Sequence, residues 1–489
     1  MVRTRIAPSP TGEFHVGHIR TLLYNYALAK NAGGTFVVRI EDTDRERYVP
    51  GAVEKILEII KDYGLSWDEG PIVGGPYAPY VQSERLDIYK KYSLELVEKG
   101  AAYYCFCTSE RLDEMRAKQR ELGYAATRYD GRCRDLSNTE VTKKLAAKMP
   151  FVIRLKVPKD QKITFHDEVL GDMSFDSNEI DDQVLLKSDG FPTYQLAVVI
   201  DDHLMNITHV MRGIDWLPST PKHVLLYQAF GWEFPKHIHL PNLKEVGENK
   251  KLSKRHGSVA ALEFLQEGYL PEAILNFLML LGWSPKVEKE IMTVPEFVAE
   301  FAIDRIHQTD LVAFDRQKLL WLNGAYIRNM AVAELYDRLT RWSQKFGVNI
   351  NTTGFDRIYI EKVLTLTQDR LKLLSDFPIL SNYFFTEPNI DVDLLVKQSK
   401  DVAKCQEIII KFITAVANIP NWTKENLEVV GHQVLLDNNY KPKEAFMTIR
   451  ITVCGVEATP PLFDTLEVLG KDVVLKRLEK ALNDCPAKT

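Results

Sequence analysis

The opening of the chain constrains its fold more than any other part: a short strand, a stiff loop, a helix and a second strand follow one another without a break. Val2 to Ala7 reads as the first strand. Within RIAPSPTGEFHVGH, Arg5 to His18, Pro8 and Pro10 hold the chain extended, since proline fixes φ and disfavours helix before it. Gly12 and Gly17 allow turns and a close approach of backbone to a ligand. Ile19, Leu22, Leu23, Tyr26 and Ala27 then recur at helical spacing, and Gly33-Gly34 ends the helix. Thr35 to Ile40, TFVVRI, reads as a buried strand. Strand, helix and strand make a βαβ unit, which calls for a parallel sheet covered by helices. Ligands of such sheets bind beyond the carboxyl ends of the strands, where Glu41, Asp42 and Asp44 follow TFVVRI.

His15 and His18 fall three residues apart, where the first helix begins. A helix start carries unsatisfied N–H groups and a positive partial charge, so it favours an anion such as a phosphate. Two imidazoles at that spacing share one face and add donors there.

Further along, Ala52–Tyr63 and residues 85–99 read as amphipathic helices. From Ala101 the character changes: three cysteines, a charged stretch from Glu110 to Glu121 and the strand-like run Phe151 to Val157 mark residues 101–190 as an inserted α+β domain. The α/β pattern resumes with Thr193 to Ile200, read as a strand ending in Asp201-Asp202-His203, and with Ile207 to Met211, a strand ending at Arg212. Pro221–Phe230 is a helix. Beyond about Leu262 the period is helical, as in Ala273–Leu281, Leu319–Leu322, Val363–Leu374 and Ile408–Ala417, and no run of alternating strands stands out. The expected organisation is an α/β Rossmann-like domain in two halves, 1–100 and 191–260, around the insert 101–190. A helical segment 261–322 and helical bundles over 323–489 follow.

Composition limits the function classes. The 489 residues suit about three domains, and 45% hydrophobic with 26% charged residues is the balance of a globular protein. No basic stretch leads into an apolar run at the N-terminus, and no uncharged apolar run reaches the roughly 18 residues that span a bilayer, so neither a signal peptide nor a membrane span is expected. Six cysteines in so long a chain do not imply a disulfide framework, which points to the cytoplasm. A net charge of −5 argues against a global positive field but leaves room for local basic surfaces holding one folded RNA.

The segment KKLSKRHG, Lys250 to Gly257, lies in a polar loop more than two hundred residues after HVGH. Lysines are mobile point charges suited to a transferring phosphate. HVGH resembles the HIGH signature of class I aminoacyl-tRNA synthetases, and KLSKR resembles their KMSKS signature, in the order and separation shown by that class. The resemblance implies a class I synthetase catalytic domain. It gives His15, His18, Lys251 and Lys254 catalytic roles toward ATP with Mg²⁺, with Pro8, Gly17 and Ser253 also lining the nucleotide site.

The strings RIAPSPTG, RIEDTD, PYVQSER, LLKSDGFPTYQLA, DDHLM, DWLPSTPKHVLLYQAFGW and KLSKR together resemble the bacterial glutamyl-tRNA synthetase family from residue 1 to about 260, and WLNGAYIR at 321–328 fits its remainder. An amino acid's α-ammonium wants a carboxylate, which Glu41 supplies. A substrate with two carboxylates wants two cations, which Arg5 and Arg212 supply. Carried over by position, Arg5, Ala7, Ser9, Glu41, Tyr194 and Arg212 match the family's glutamate pocket. The resemblance implies that the insert holds the acceptor end of tRNA, that the bundles hold the anticodon, and that tRNA helps to form the active glutamate site.

Cys105 and Cys107 form C-x-C, and Cys133 follows in RYDGRCRD. Thiolates favour zinc and need a fourth ligand for a closed tetrahedral site. Tyr129 and Asp135 are the candidates: some family members have tyrosine four residues before the last cysteine, others a histidine two after it, where this chain has Asp135. In TQDRLKLLSDF, at 367–377, Arg370 is expected on a helix, at a position where discriminating relatives have arginine and relaxed ones glutamine. The resulting expectation is an ATP-dependent ligase of L-glutamate to tRNA(Glu), a monomer. The rivals are a relaxed enzyme that also charges tRNA(Gln) and an inactive RNA-binding module. A shorter tRNA-modifying relative lacks the anticodon bundles.

Overall fold

The computed structural model describes residues 1–124, 126–252, 259–399 and 401–484. The chain divides into two units, Met1–Phe264 with Pro271–Arg316, and Leu265–Leu270 with Gln317–Thr489.

The first unit begins as its sequence demands. β1 (Arg3–Ile6) and β2 (Thr35–Val38) pair in parallel, Arg3 beside Thr35 and Ile6 beside Val38, with α1 (Val16–Asn31) crossing between them. Val16, Ile19, Leu22, Leu23 and Ala27 form the buried face of α1. α2 (Ala52–Asp62) and α3 (Leu86–Glu98) follow. The inserted stretch has β3 (Ala102–Cys105), α4 (Ser109–Glu121), α5 (Asn138–Ala146), β4 (Val152–Leu155), β5 (Lys162–Asp167), β6 (Gly171–Asp176) and β7 (Val184–Leu186). β3, β4 and β7 form a small antiparallel sheet, and β5 and β6 an antiparallel pair.

The chain then runs through α6 (Tyr194–Leu204), β8 (His209–Gly213), α7 (Thr220–Phe230), β9 (Lys236–Leu240), β10 (Asn242–Glu245), α8 (Ala261–Gln266), α9 (Pro271–Met279), α10 (Val294–Glu300) and β11 (Leu311–Phe314). β8 pairs in parallel with β9, and β9 in parallel with β5. Thr208 N–H donates to the Arg3 carbonyl (3.0 Å), which joins β8 to β1. The carboxyl ends of β1, β2, β8 and β9 thus share one edge, the place where open parallel sheets bind ligands.

Three local expectations in this unit need correction. TYQLAVVI is not a strand: Tyr194–Leu204 is a helix, and Gln195 to Asp202 are all buried. With no solvent-facing side to interrupt the apolar run, its β-branched residues mimic a buried strand, and packing overrides their propensity. Arg212 lies inside β8 rather than after it, because that strand starts at His209 and continues to Gly213. Among the described residues, the region after Leu262 holds one strand, β11, four residues long and paired in parallel with β10. So short a run gives almost no alternation to read.

The second unit is helical throughout its described residues from Gln317 onward, ending with Lys471–Asp484. Val402–Val416 is representative: Cys405, Ile408, Ile409, Phe412 and Val416 make its buried stripe. Arg370 is not on an α-helix. The helix Arg357–Thr367 stops, and Arg370 closes a 3₁₀ turn, Gln368–Arg370. The buried Gln368 amide donates to the carbonyls of Ile327 (2.8 Å) and Met330 (2.7 Å), pulling the chain out of α-helical register and leaving Arg370 exposed. No helix among the described residues is long and apolar enough to cross a membrane.

Candidate active site

The edge where β1, β2, β8 and β9 end opens into a cleft of about 400 Å³. Arg5, Ala7, Pro8, Ser9, His15, Gly17, His18, Glu41, Tyr194, Arg212 and Lys251 all line it, so the fold brings most of the residues singled out from sequence to one place. Ser253 and Lys254 lie outside the described residues.

His15 caps the start of α1 in an extended conformation, and its ring stacks on that of His18, with centroids 3.8 Å apart and planes at 29°. A Cβ on Gly17 would come within 3.1 Å of the His15 ring, so a larger residue there would push the imidazole away. Burial, and then the charge of Lys251, lowers the His15 pKa to about 4. Burial, with His15 and Lys251 beside it, lowers that of His18 to about 3. Both rings are neutral at pH 7, each with one N–H to donate. Leu252 N–H donates to the Leu243 carbonyl on β10 (2.6 Å), and Val16 N–H donates to the Val259 carbonyl (3.0 Å). Lys251 Nζ meets Asp215 Oδ2 at 2.8 Å.

Beneath the cleft lies a buried charge network. Asp202 receives Arg5 through Nε (3.1 Å) and Nη2 (3.2 Å), and Arg39 through Nη1 (2.8 Å). Arg39 Nη2 donates to Glu41 Oε1 at 2.9 Å. Asp201 takes Arg85 Nε (2.8 Å), the Tyr89 hydroxyl (2.8 Å) and Gln82 Nε2 (2.8 Å). Burial would raise Asp202, but Arg5 and Arg39 outweigh it and hold its pKa low. Burial pushes the Glu41 carboxyl up to about 7 against the pull of Arg39 and Arg5. Glu41 is therefore a buried acid whose charge is incompletely compensated, as suits the receiver of an ammonium ion.

Arg212 is different. It is only 5% exposed, and its partners are neutral: Nε to His239 Nε2 (3.2 Å), Nη1 to the Tyr194 hydroxyl (3.2 Å) and Nη2 to Thr220 Oγ1 (2.7 Å), with His223 Nδ1 at 3.5 Å. Among the described residues it makes no ion pair with a carboxylate. A buried guanidinium so placed on a cleft wall is a receptor for a ligand's anionic group. Asp215, Trp216, Thr220, His223 and His239 were not singled out from the sequence. The first four lie within DWLPSTPKH, but no regular spacing marks them.

The cysteine cluster lies elsewhere, at the end of β3. Cys105, Cys107 and Cys133 place their sulfur atoms within 4.8 Å of one another, and the Cys107–Cys133 separation is 3.7 Å. A tetrahedral zinc with bonds of about 2.3 Å sets its thiolates about 3.8 Å apart, so the group fits that ion. The Tyr129 hydroxyl is 3.4 Å from both Cys105 and Cys107, whereas Asp135 is 84% exposed and turned to Lys156.

A family profile described as tRNA synthetases class I (E and Q), catalytic domain, matches residues 1–321, and one described as an anticodon binding domain matches residues 334–482. The chain belongs to the class I tRNA synthetases of that E and Q family. The relatives it matches include glutamate–tRNA ligases. That of Clostridium kluyveri is 41% identical over 98% of this chain and 97% of its own length. That of Clostridioides difficile is 41% identical over 99% of both. A crystal structure of a glutamate tRNA ligase from Elizabethkingia meningosepticum in complex with its amino acid superposes with a TM-score of 0.89 at 35% identity, covering 99% of this chain and 100% of that one.

Proposed function

We propose that this chain is a glutamate–tRNA ligase. It activates L-glutamate with ATP to glutamyl-adenylate and pyrophosphate, then transfers glutamate to the terminal adenosine of tRNA(Glu). The observation that carries the reading is Arg212, a buried cation paired, among the described residues, only to neutral groups, in the same cleft as the paired histidines. Glutamate differs from glutamine in the one group that needs such a partner.

In this assignment Arg212, with Tyr194 beside it, reads the side-chain carboxylate, Glu41 receives the α-ammonium, and Arg5, Ala7 and Ser9 line the same pocket. Pro8, His15, Gly17, His18, Ser253 and Lys254 hold ATP. The α-carboxylate attacks the α-phosphorus and pyrophosphate leaves. The terminal ribose hydroxyl of tRNA then attacks the glutamyl carbonyl and AMP leaves. The neutral histidines donate hydrogen bonds, and Lys251 and Lys254 supply charge to the phosphates as negative charge moves to the leaving group. Asp215 holds Lys251 at the cleft mouth until the nucleotide competes for it. Mg²⁺ arrives with ATP: the described carboxylates of the lining, Glu41 and Asp215, are already ion-paired with Arg39 and Lys251.

Residues 101–190 serve the acceptor end, 261–322 the stem, and 323–489 the anticodon, with Arg370 as its reader. Cys105, Cys107, Cys133 and Tyr129 hold one structural zinc, the hydroxyl position supporting Tyr129 over Asp135. The enzyme works as a cytoplasmic monomer. Glutamate-dependent ATP–pyrophosphate exchange in the presence of tRNA tests the reading. Tight tRNA binding without exchange would instead make the chain an RNA-binding module.

A further inference from the structure

Among the described residues Arg212 has no carboxylate in direct contact, but one stands behind its neutral partner His239. On β5 the alternation buries Ile163, Phe165 and Asp167, so an aspartate occupies a position of the strand that faces the core. Asp167 is fully buried, and Oδ1 accepts the backbone N–H groups of Val169 and Leu170, both at 3.0 Å. Its other oxygen, Oδ2, lies 2.6 Å from Nδ1 of His239, which is 1% exposed on the neighbouring strand β9. On the far side of that ring, Nε2 meets Arg212 Nε at 3.2 Å and Thr220 Oγ1 at 3.4 Å.

These contacts dictate one protonation pattern. A carboxylate can only accept, so the ring proton is on Nδ1. A guanidinium can only donate, so Nε2 presents its lone pair to Arg212. Thr220 agrees: its oxygen accepts from Arg212 Nη2, and its own proton is free to go to Nε2. Burial, followed by the charge of Arg212, lowers the His239 pKa despite the neighbouring Asp167, which matches a neutral ring.

We propose that Asp167 and His239 are positioning residues for substrate choice: Asp167 fixes the His239 tautomer, and His239 takes the Nε–H of Arg212 so that the Nη edge is presented to the side-chain carboxylate of the amino acid. This rests on the reading of the cleft as the glutamate site. The arrangement places the countercharge of Arg212 one imidazole away. The guanidinium is held by a charge it does not touch, and its direct ion-pairing capacity remains for the ligand. A carboxylate placed directly against Arg212 would quench it, and an apolar neighbour would leave a buried charge without support. It also makes the inserted stretch, through β5, a part of the amino-acid pocket.

The decisive variant is Asp167→Asn. Asparagine keeps the shape and can keep Oδ1 on the Val169 and Leu170 amides, but it turns an NH₂ toward His239 Nδ1. The ring must then accept at Nδ1 and carry its proton on Nε2, donor against donor with Arg212. Steady-state kinetics of the full-length enzyme with tRNA should show the glutamate KM raised about ten- to a hundredfold, as when a buried donor loses its acceptor. The KM for ATP should stay within about twofold, since the lesion is confined to the amino-acid pocket. Nitrogen-15 NMR of histidine-labelled protein should show the ring proton moved from Nδ1 to Nε2, the His239 signals being assigned by their loss in His239→Gln. His239→Gln can set an amide oxygen where Nε2 stood, so it should be impaired less than His239→Leu, and adding Asp167→Asn to it should cost nothing more. His239→Leu should fail as Asp167→Asn does.

An unchanged tautomer in Asp167→Asn, an unchanged glutamate KM, or the full penalty of Asp167→Asn persisting in the His239→Gln background would each overturn the proposal. Arg212→Gln separates this from the underlying reading. If that variant binds glutamate normally, the pocket assignment itself fails. If it is impaired while Asp167→Asn is not, only the role of Asp167 and His239 fails.

Discussion

Replacing Arg212 with glutamine removes the charge while keeping a polar side chain of related length. Arg212 is 5% exposed and makes its hydrogen bonds to Tyr194, Thr220 and His239, none of which is a carboxylate. A bound glutamate side chain would be its one ion-pair partner among the described groups. Losing one member of a buried, hydrogen-bonded charge pair costs about 2–5 kcal/mol. At about 1.4 kcal/mol per factor of ten, kcat/KM for glutamate should fall roughly 30- to 4,000-fold. Glutamine never forms that pair, so its use should fall far less and the preference for glutamate should narrow by a similar factor. The assay is ATP–pyrophosphate exchange with tRNA present, glutamate and glutamine each titrated at saturating ATP. A variant that keeps its glutamate kcat/KM and its preference over glutamine would refute the reasoning, because the charge would then face nothing in the reaction.

Four further outcomes are expected. Lys254→Ala should lower adenylate formation by about 10²–10³ at saturating ATP, the usual cost of one charge-stabilising donor; single-turnover adenylation measures it, and near-normal formation contradicts the role. Glu41 must be ionised to receive an ammonium, and burial sets its pKa at about 7. Lowering the pH through 7 should therefore raise the glutamate KM, towards about tenfold per pH unit once well below, and Glu41→Gln should abolish that slope. Metal analysis of protein purified without chelator should find one zinc per chain; Cys105→Ser with Cys107→Ser should remove it, Tyr129→Phe should weaken its retention, and Asp135→Ala should not. Arg370→Gln should admit tRNA(Gln) with a CUG anticodon while leaving ATP use unchanged, since an arginine can donate to the acceptors of a splayed cytosine. Equal charging of both tRNAs by the wild type would refute that choice.

The parts legible in the sequence were those whose signal is local. Pro8, Pro10, His15 and His18 announce the loop and helix start within a few residues, and TFVVRI gives its strand by composition alone. The helices of the second unit show their buried stripes directly, as Ile408, Ile409 and Phe412 do. What the sequence hid arises from packing. Within Tyr194–Leu204 the apolar run Leu196 to Ile200 is buried on every side, so neither helical nor strand period survives in it. Leu311–Phe314 is a strand only because Asn242–Glu245 lies beside it. Arg212 and Tyr194 were singled out, but the rest of their setting was not, since it comes from Asp167, Thr220 and His239 on three further elements. The same holds for Asp201 and Asp202, read as the tail of a strand and found inside a helix, where they anchor Arg5, Arg39 and Arg85.

The central claim is that the chain joins glutamate to tRNA(Glu). Its most direct measurement is aminoacylation of a tRNA(Glu) transcript with radiolabelled glutamate, run beside labelled glutamine and aspartate, with the product resolved on acid gels. ATP-dependent, deacylation-sensitive label is expected from glutamate alone. Label from glutamine or aspartate at a comparable rate, or no label with any of the three, would contradict it.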